Sequence, residues 1–238
     1  MMTASRHEWP DMDSFDEIEM KLTVTPSDLR RAEAAVLAAY EVERSRIFAE
    51  RAVYYDTPGL WVRSHGGTLR VRRGAAGWEQ VIKQHVTSCS MPGSALARRE
   101  WRWSVDDEKV DLNLVRQELP NSRELDYFAS IRSSDLYSVF ETRLQRAIYL
   151  IKIDDDLAEI TFDEGVVSVE SVSIELCEIE VEAKGGEGGI FEKFQRFFQG
   201  VADVSLHRKT KADFGYGLAL SGHGGNHGPP VMKGKSAD

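Results

Sequence analysis

The sequence predicts an α+β protein whose strands form one antiparallel sheet that closes into an eight-stranded barrel, with helices packed outside. About eight strand-like segments follow one another with few helices between them, which favours antiparallel neighbours over βαβ crossovers. Eight strands commonly close into a barrel. On several segments, moreover, the residues alternating with apolar ones are charged, one such face being triply acidic and another purely Arg.

The elements follow in order. Glu17–Val24 (EIEMKLTV) alternates with period two and reads as a strand. Thr25-Pro26-Ser27-Asp28 is a helix-start signal for an Ala-rich amphipathic helix over Leu29–Tyr40. Arg46–Tyr55 is a strand closed by the turn sequence Asp56-Thr57-Pro58-Gly59. Thr68–Arg73, Trp78–Gln84 and Arg99–Val105 are further strands, followed by helical stretches over Asp107–Glu118 and Arg123–Ile131. Strands resume at Tyr137–Lys152, Ala158–Asp163, Val166–Val169 and Val172–Ala183. Ile190–Phe198 is a helix with an aromatic face, and Leu206–Tyr216 closes the domain. Residues 1–16 are expected to be a flexible tail, 17–220 the domain, and 221–238 a Gly/Pro-rich tail or linker.

Composition excludes several classes. At 42% hydrophobic residues the chain is not wholly disordered. No apolar run reaches the length of a membrane-spanning helix, and the polar, acidic N-terminus is not a secretory signal. Cys89 and Cys177 are too few for a disulfide scaffold and match no zinc spacing, so a reduced, cytoplasmic protein is expected. With 30 Lys and Arg against 39 Asp and Glu, the net charge of −9 argues against binding nucleic acid through an overall field. A polyanion would have to be held in a local basic site, with metal ions bridging it to carboxylates.

The charged faces supply such a site. Glu17, Glu19 and Lys21 share one face of their strand, Arg70 and Arg72 one face of theirs, and Glu178, Glu180 and Glu182 one face of a third. An alternating strand ordinarily turns its charges to water. One face here is triply acidic and another purely Arg, however, and such faces repel themselves unless something bridges them. Turned into a closed barrel, they become carboxylates for cations and a cradle for phosphate oxygens.

These residues also resemble a known family. Glu17-Ile18-Glu19-Met20-Lys21 is similar to the E-x-E-x-K signature that opens CYTH proteins, the triphosphate tunnel metalloenzymes. In the family's order follow Tyr54-Tyr55-Asp56-Thr57, Leu69-Arg70-Val71-Arg72, Trp78-Glu79 with Lys83, and Arg98-Arg99-Glu100-Trp101. Thr142 with Arg146 and Tyr149, Phe162-Asp163, Cys177 to Glu182 and Lys209-Thr210-Lys211 complete a match over about residues 17–220.

The resemblance implies a tunnel that binds a linear triphosphate with Mg2+ or Mn2+, and within the family the chain looks most like bacterial inorganic triphosphatases. It implies hydrolysis of tripolyphosphate to pyrophosphate and phosphate, with Glu17, Glu19 and Lys21 as catalytic residues. Lys21, Arg70, Arg72, Lys83, Arg146, Lys209 and Lys211 are the expected phosphate ligands. Glu17, Glu19, Asp163, Glu178, Glu180 and Glu182 are the expected metal ligands. Of the two closing lysines, Lys209 and Lys211, either could be the ligand. A regular strand cannot turn both Arg143 and Arg146 inward; Arg146 is favoured because Tyr149 stands at the family's offset from it, with Arg143 peripheral or entering through a bulge. The alternatives are an organic-triphosphate enzyme (a thiamine or nucleoside triphosphatase, or an adenylate cyclase) and a non-catalytic polyphosphate-binding module. The expected partners are a triphosphate or short polyphosphate, with neither nucleic acid nor membrane. Pro229-Pro230 and the residues after them resemble the linker that precedes a CHAD domain in such proteins.

The remaining conspicuous residues have plainer expectations. His65, His85 and His207 lack spaced partners and are expected to be structural or at the surface. Trp78, Trp101 and Trp103 are expected to pack rather than to stack bases, and Phe191, Phe194, Phe197 and Phe198 to lie in the core.

Overall fold

The structure, a computed structural model, describes residues 17–74, 77–85, 95–153, 156–184 and 189–221. The expected tails, apart from Ser221, and Cys89 lie outside the described residues. Strand β1 is Glu17–Thr23, β2 Val42–Asp56, β3 Gly67–Gly74, β4 Gly77–His85 and β5 Leu96–Val105. Strands β6 (Tyr137–Ile153), β7 (Asp156–Val169) and β8 (Val172–Ala183) follow, with a short β9 at Ser205–His207. The sheet runs β5-β4-β3-β2-β6-β7-β8-β1, every pairing described is antiparallel, and β1 also pairs with β5. That pairing closes an eight-stranded barrel, and β9 adds to β1 over Lys21–Thr23.

Five α-helices surround it: α1 (Pro26–Ala39), the single turn α2 (Trp61–Ser64), α3 (Leu112–Glu118), α4 (Ile190–Val201) and α5 (Lys211–Ser221). The α1 start follows the sequence signal: the Thr25 hydroxyl accepts from the Asp28 backbone N–H at 3.2 Å, and Pro26 opens the helix. The acidic stretch becomes helical only from Leu112, where the Asp111 carboxylate caps the chain by accepting from the Asn113 N–H. Arg123–Ser130 is a 3₁₀ turn rather than an α-helix.

Two expected strands, Ala158–Asp163 and Val166–Val169, are one continuous strand. Gly165, which looks like an interruption, sits in β7 where a Cβ would lie 2.0 Å from the Arg143 carbonyl oxygen, so only glycine fits. Strand β2 likewise begins at Val42 rather than Arg46, its first half exposed on both faces and so carrying no apolar alternation.

The apolar faces of the strands point outward, under the helices. Phe191, Phe194 and Phe198 of α4 and Leu29, Ala32 and Val36 of α1 cover Ile18, Met20, Ile160, Phe162, Ile179 and Val181. Phe162 meets Phe198 edge-on, ring centroids 6.3 Å apart. Each such fully buried side chain contributes about 1.5–3 kcal/mol. Leu112, Val115, Leu125 and Phe128 cover Leu69 and Ile82, with Trp101 and Trp103 beside them.

Inside, the barrel is divided along its length. One end is filled by Tyr54, Phe140, Leu144, Val167 and Leu176 packed with Ala212 and Tyr216 of α5. The remainder is charged. Among the described residues no helix is long and apolar enough to cross a membrane.

Candidate active site

Period-two alternation carries the charged side chains of all eight strands to a common interior. They line a cavity of about 370 Å³, within the size range of small-ligand sites. Glu17, Glu19 and Lys21 enter from β1, and all three are buried. Glu178, Glu180 and Glu182 enter from β8, which pairs with β1 so that Lys21 stands opposite Glu180 and Glu19 opposite Glu182. Arg70 and Arg72 come from β3, Lys83 from β4, Arg146 from β6 and Asp163 from β7. Lys211, the first residue of α5, reaches in from the plugged end.

Of the two closing lysines only Lys211 enters. Lys209 is exposed, its ammonium 5.8 Å from the centre of the Phe214 ring. Three residues along a strand reverse the face, and so Arg143 points outward to Glu141 while Arg146 points in.

The interior is a network of ion pairs. Arg146 holds Asp163 through two hydrogen bonds, at 2.8 and 2.6 Å. Lys211 Nζ lies 2.9 Å from both Asp163 and Glu180 and also bonds Glu178. Lys21 bonds Glu180 and lies 3.1 Å from Glu19. Lys83 donates to both Glu17 oxygens, at 2.6 and 2.8 Å.

These contacts set the protonation states. Burial pushes the Asp163 carboxyl up, but Arg146 and Lys211 outweigh it and hold it well below the usual range. The same contest, against Arg98 and Lys83, keeps Glu17 ionised. Burial lowers the Lys83 ammonium to about 8 despite Glu17 beside it. Glu182, near the open end with Lys184 as its partner, is raised by burial to about 7.

Arg70 stands apart. It is buried, its Nη1 donates to the Tyr54 hydroxyl at 3.0 Å, and its Nε has no partner. Among the described residues it forms no ion pair with a carboxylate.

The six acidic residues expected to bind metal divide by place. Asp163, Glu178 and Glu180 offer ligand oxygens that all lie within 4.8 Å of one another. Glu178 Oε2 is buried without a hydrogen-bond partner. An all-carboxylate set with an unsatisfied buried oxygen fits a hard divalent cation. Glu17 and Glu19 are engaged instead with Arg98, which lies between them.

Arg98 is one of several interior residues the sequence reading did not select. Glu50, 3.3 Å from Arg72 and 3.5 Å from Arg146, is another, as are Arg102, Glu159 and Thr161. His207, expected to be structural, places Nε2 3.7 Å from Glu178. Trp78, expected to pack, is half-buried at the open end of the cavity.

The chain is similar to known proteins in sequence and in fold. An inorganic triphosphatase of Haemophilus influenzae is 25% identical over 206 residues, which cover 85% of this chain and 54% of that protein. The chain therefore spans about half the length of that curated relative. The fold is similar to that of HpAC1 from Hippeastrum, a protein named for adenylyl cyclase and said to show a dominant triphosphatase activity. The TM-score is 0.56 at 16% identity, over 87% of this chain and 96% of that one. The CYTH domain matches residues 16–211, the stretch from the start of β1 to Lys211 that builds the charged barrel, and the chain belongs to the CYTH family.

Proposed function

We propose that the protein hydrolyses inorganic triphosphate to pyrophosphate and phosphate inside the barrel, with Mg2+ or Mn2+ as cofactor. The observation that carries this reading is Arg70: a buried guanidinium with an open Nε donor and, among the described residues, no carboxylate in direct contact, facing a cavity ringed by Lys21, Arg72, Lys83, Arg146 and Lys211. Glu50 and Glu100 act on it only at longer range, and a buried donor without a partner is expensive, a cost that a polyanion relieves. Tripolyphosphate carries about four to five negative charges at neutral pH, enough to engage several of these donors at once. The inorganic triphosphatase relative supports the same substrate.

The residues divide the work. Arg70, Arg72 and Arg146 present planar forks to phosphate oxygens, while Lys21, Lys83 and Lys211 act as point charges. Asp163, Glu178 and Glu180 would hold the divalent cation, with Glu17, Glu19 and Glu182 as further carboxylates within the tunnel. The cation would neutralise phosphate charge and polarise the phosphoryl group. Glu17 or Glu19, both within the tunnel, would orient the attacking water and take up its one proton. Water oxygen bonds to a terminal phosphorus, the anhydride P–O bond breaks, and the lysines and arginines balance charge on the departing pyrophosphate.

The test is orthophosphate release from tripolyphosphate, ATP and thiamine triphosphate, each in Mg2+, Mn2+ and EDTA. Preference for tripolyphosphate, abolished by EDTA, is expected. Preference for an organic triphosphate would reassign the substrate, and binding without turnover would make the protein a polyphosphate-binding module.

A further inference from the structure

At the plugged end, the Asp56 carboxylate is fully buried at the close of β2. Its Oδ1 accepts from the Thr57 and Val62 N–H groups at 2.7 and 2.9 Å. Its Oδ2 accepts from the Arg63 N–H at 3.0 Å and from the Tyr216 hydroxyl at 2.8 Å. One carboxylate thus ties the β2 terminus, the α2 turn and α5 together. Tyr216 is itself fully buried, its ring edge-on to Phe140 at 5.2 Å with the Arg63 guanidinium 4.5 Å above it.

Tyr216 lies five residues after Lys211 on the same short helix, about 7.5 Å along its axis at 1.5 Å per residue. The two side chains leave on different faces, one into the β2–α2 corner and the other among Asp163, Glu178 and Glu180. A helix of 11 residues moves as one body, so a bond that fixes Tyr216 also fixes how far Lys211 Nζ projects. Ring packing on Phe140 does not need the hydroxyl; the bond to Asp56 does. Burial and the adjacent carboxylate raise the phenol well above its ordinary pKa, so it remains a donor throughout the neutral range.

We propose that Asp56 and Tyr216 are positioning residues that act through Lys211, setting the depth to which its ammonium enters the tunnel. This rests on the reading of Lys211 as a phosphate ligand.

The test compares Y216F, K211M and the double variant in tripolyphosphate hydrolysis with Mn2+, with melting curves for each. It also measures the labelling rate of Lys211 by an amine-reactive reagent, followed by mass spectrometry. Y216F is expected to stay folded but to melt several degrees below wild type, since a buried carboxylate loses a donor, to lose roughly tenfold in kcat/KM, equivalent to about 1.4 kcal/mol, and to label Lys211 several-fold faster. In the K211M background the same substitution is expected to change nothing further. An equal loss in both backgrounds, or unchanged labelling, overturns the proposal. If wild type takes no tripolyphosphate yet Y216F exposes Lys211 to label, the substrate reading fails and the positioning role stands.

Discussion

Arg146 and Asp163 stand directly opposite each other on β6 and β7, and the guanidinium clasps both carboxylate oxygens. Both residues are buried, and Lys211 shares the same carboxylate. A buried pair of this kind seldom stabilises a fold more than apolar residues of the same volume, but losing one partner strands the other. Here Arg146 keeps Glu50 at 3.5 Å and Glu180 at 3.7 Å, so Asp163→Asn is expected to destabilise the ligand-free protein by about 1–3 kcal/mol, the scale of the lost charge-assisted bonds, measured by denaturant unfolding. Unaltered stability would mean that those two carboxylates replace Asp163 fully.

Arg70 should behave in the opposite way. It touches no carboxylate directly, and Glu50, which it helps keep ionised, retains Arg72 and Arg146, so Arg70→Met is expected to leave the melting temperature nearly unchanged. Tripolyphosphate affinity should fall by about ten- to a hundredfold, the scale of one charge-assisted contact. Calorimetric titration reads the second effect, and a destabilised variant with intact binding would contradict both halves.

The two lysines near the end of the domain offer a sharp contrast. Lys211→Met is expected to lower kcat/KM by about a hundredfold or more, given several charge-assisted contacts at about 1.5–3 kcal/mol each. Lys209→Met, altering an exposed side chain, should leave kinetics within about twofold, as is usual for surface changes. Parallel steady-state assays compare them; equal losses would place Lys209 at the substrate.

Glu182 makes a prediction in pH. Its folded pKa, about 7, lies above the unfolded value, so the folded protein binds the proton more tightly. The stability this supplies is complete below about pH 4.3 and is lost as pH rises through 7. Glu182→Gln should therefore stabilise the metal-free protein by about 3–4 kcal/mol at pH 8 relative to its effect at pH 4.5. Melting curves across that range would show the gap opening with pH; a constant gap would refute the raised pKa.

Gly215 permits α5 to lie against the barrel. A Cβ there would sit 2.2 Å from a Phe140 ring carbon, and that ring is stacked on Tyr54 with centroids 4.2 Å apart. Gly215→Ala should cost about 1–3 kcal/mol of stability through overpacking, with reduced turnover as Lys211 shifts. A variant that melts and turns over like wild type would show that Phe140 can yield.

Much of the site was legible because alternation reports a strand's face directly. Glu17, Glu19 and Lys21, or Arg70 and Arg72, need only the right strand to be placed together. Arg98 and Glu50 were hidden for different reasons. Arg98 has Arg99 beside it, so the pattern does not say which of the two faces inward. Glu50 shares its face with Phe48 and Ala52, where one charge among apolar neighbours gives no signal. The division between Lys209 and Lys211 depends on where a helix starts after β9, which Thr210 and Asp213 fix by capping each other, a local signal that reading the stretch as one closing segment passes over. Gly165 hid the continuity of β7 because close backbone approach is invisible along a single strand.

The pairing of the tunnel's cations changes what binding means. Apart from Arg70, the buried cations Lys21, Arg98, Arg146 and Lys211 are already answered by carboxylates. A polyanion that enters does not discharge a bare positive surface; it exchanges with glutamates and aspartates for the same cations. Each exchange frees a fixed anion that cannot leave, because it is tethered to a strand. Electroneutrality then requires positive charge to come from solution along with the ligand. On the proposed function the barrel would act as an ion exchanger whose resin carries both signs, and a polyanion would bring added cations in with it.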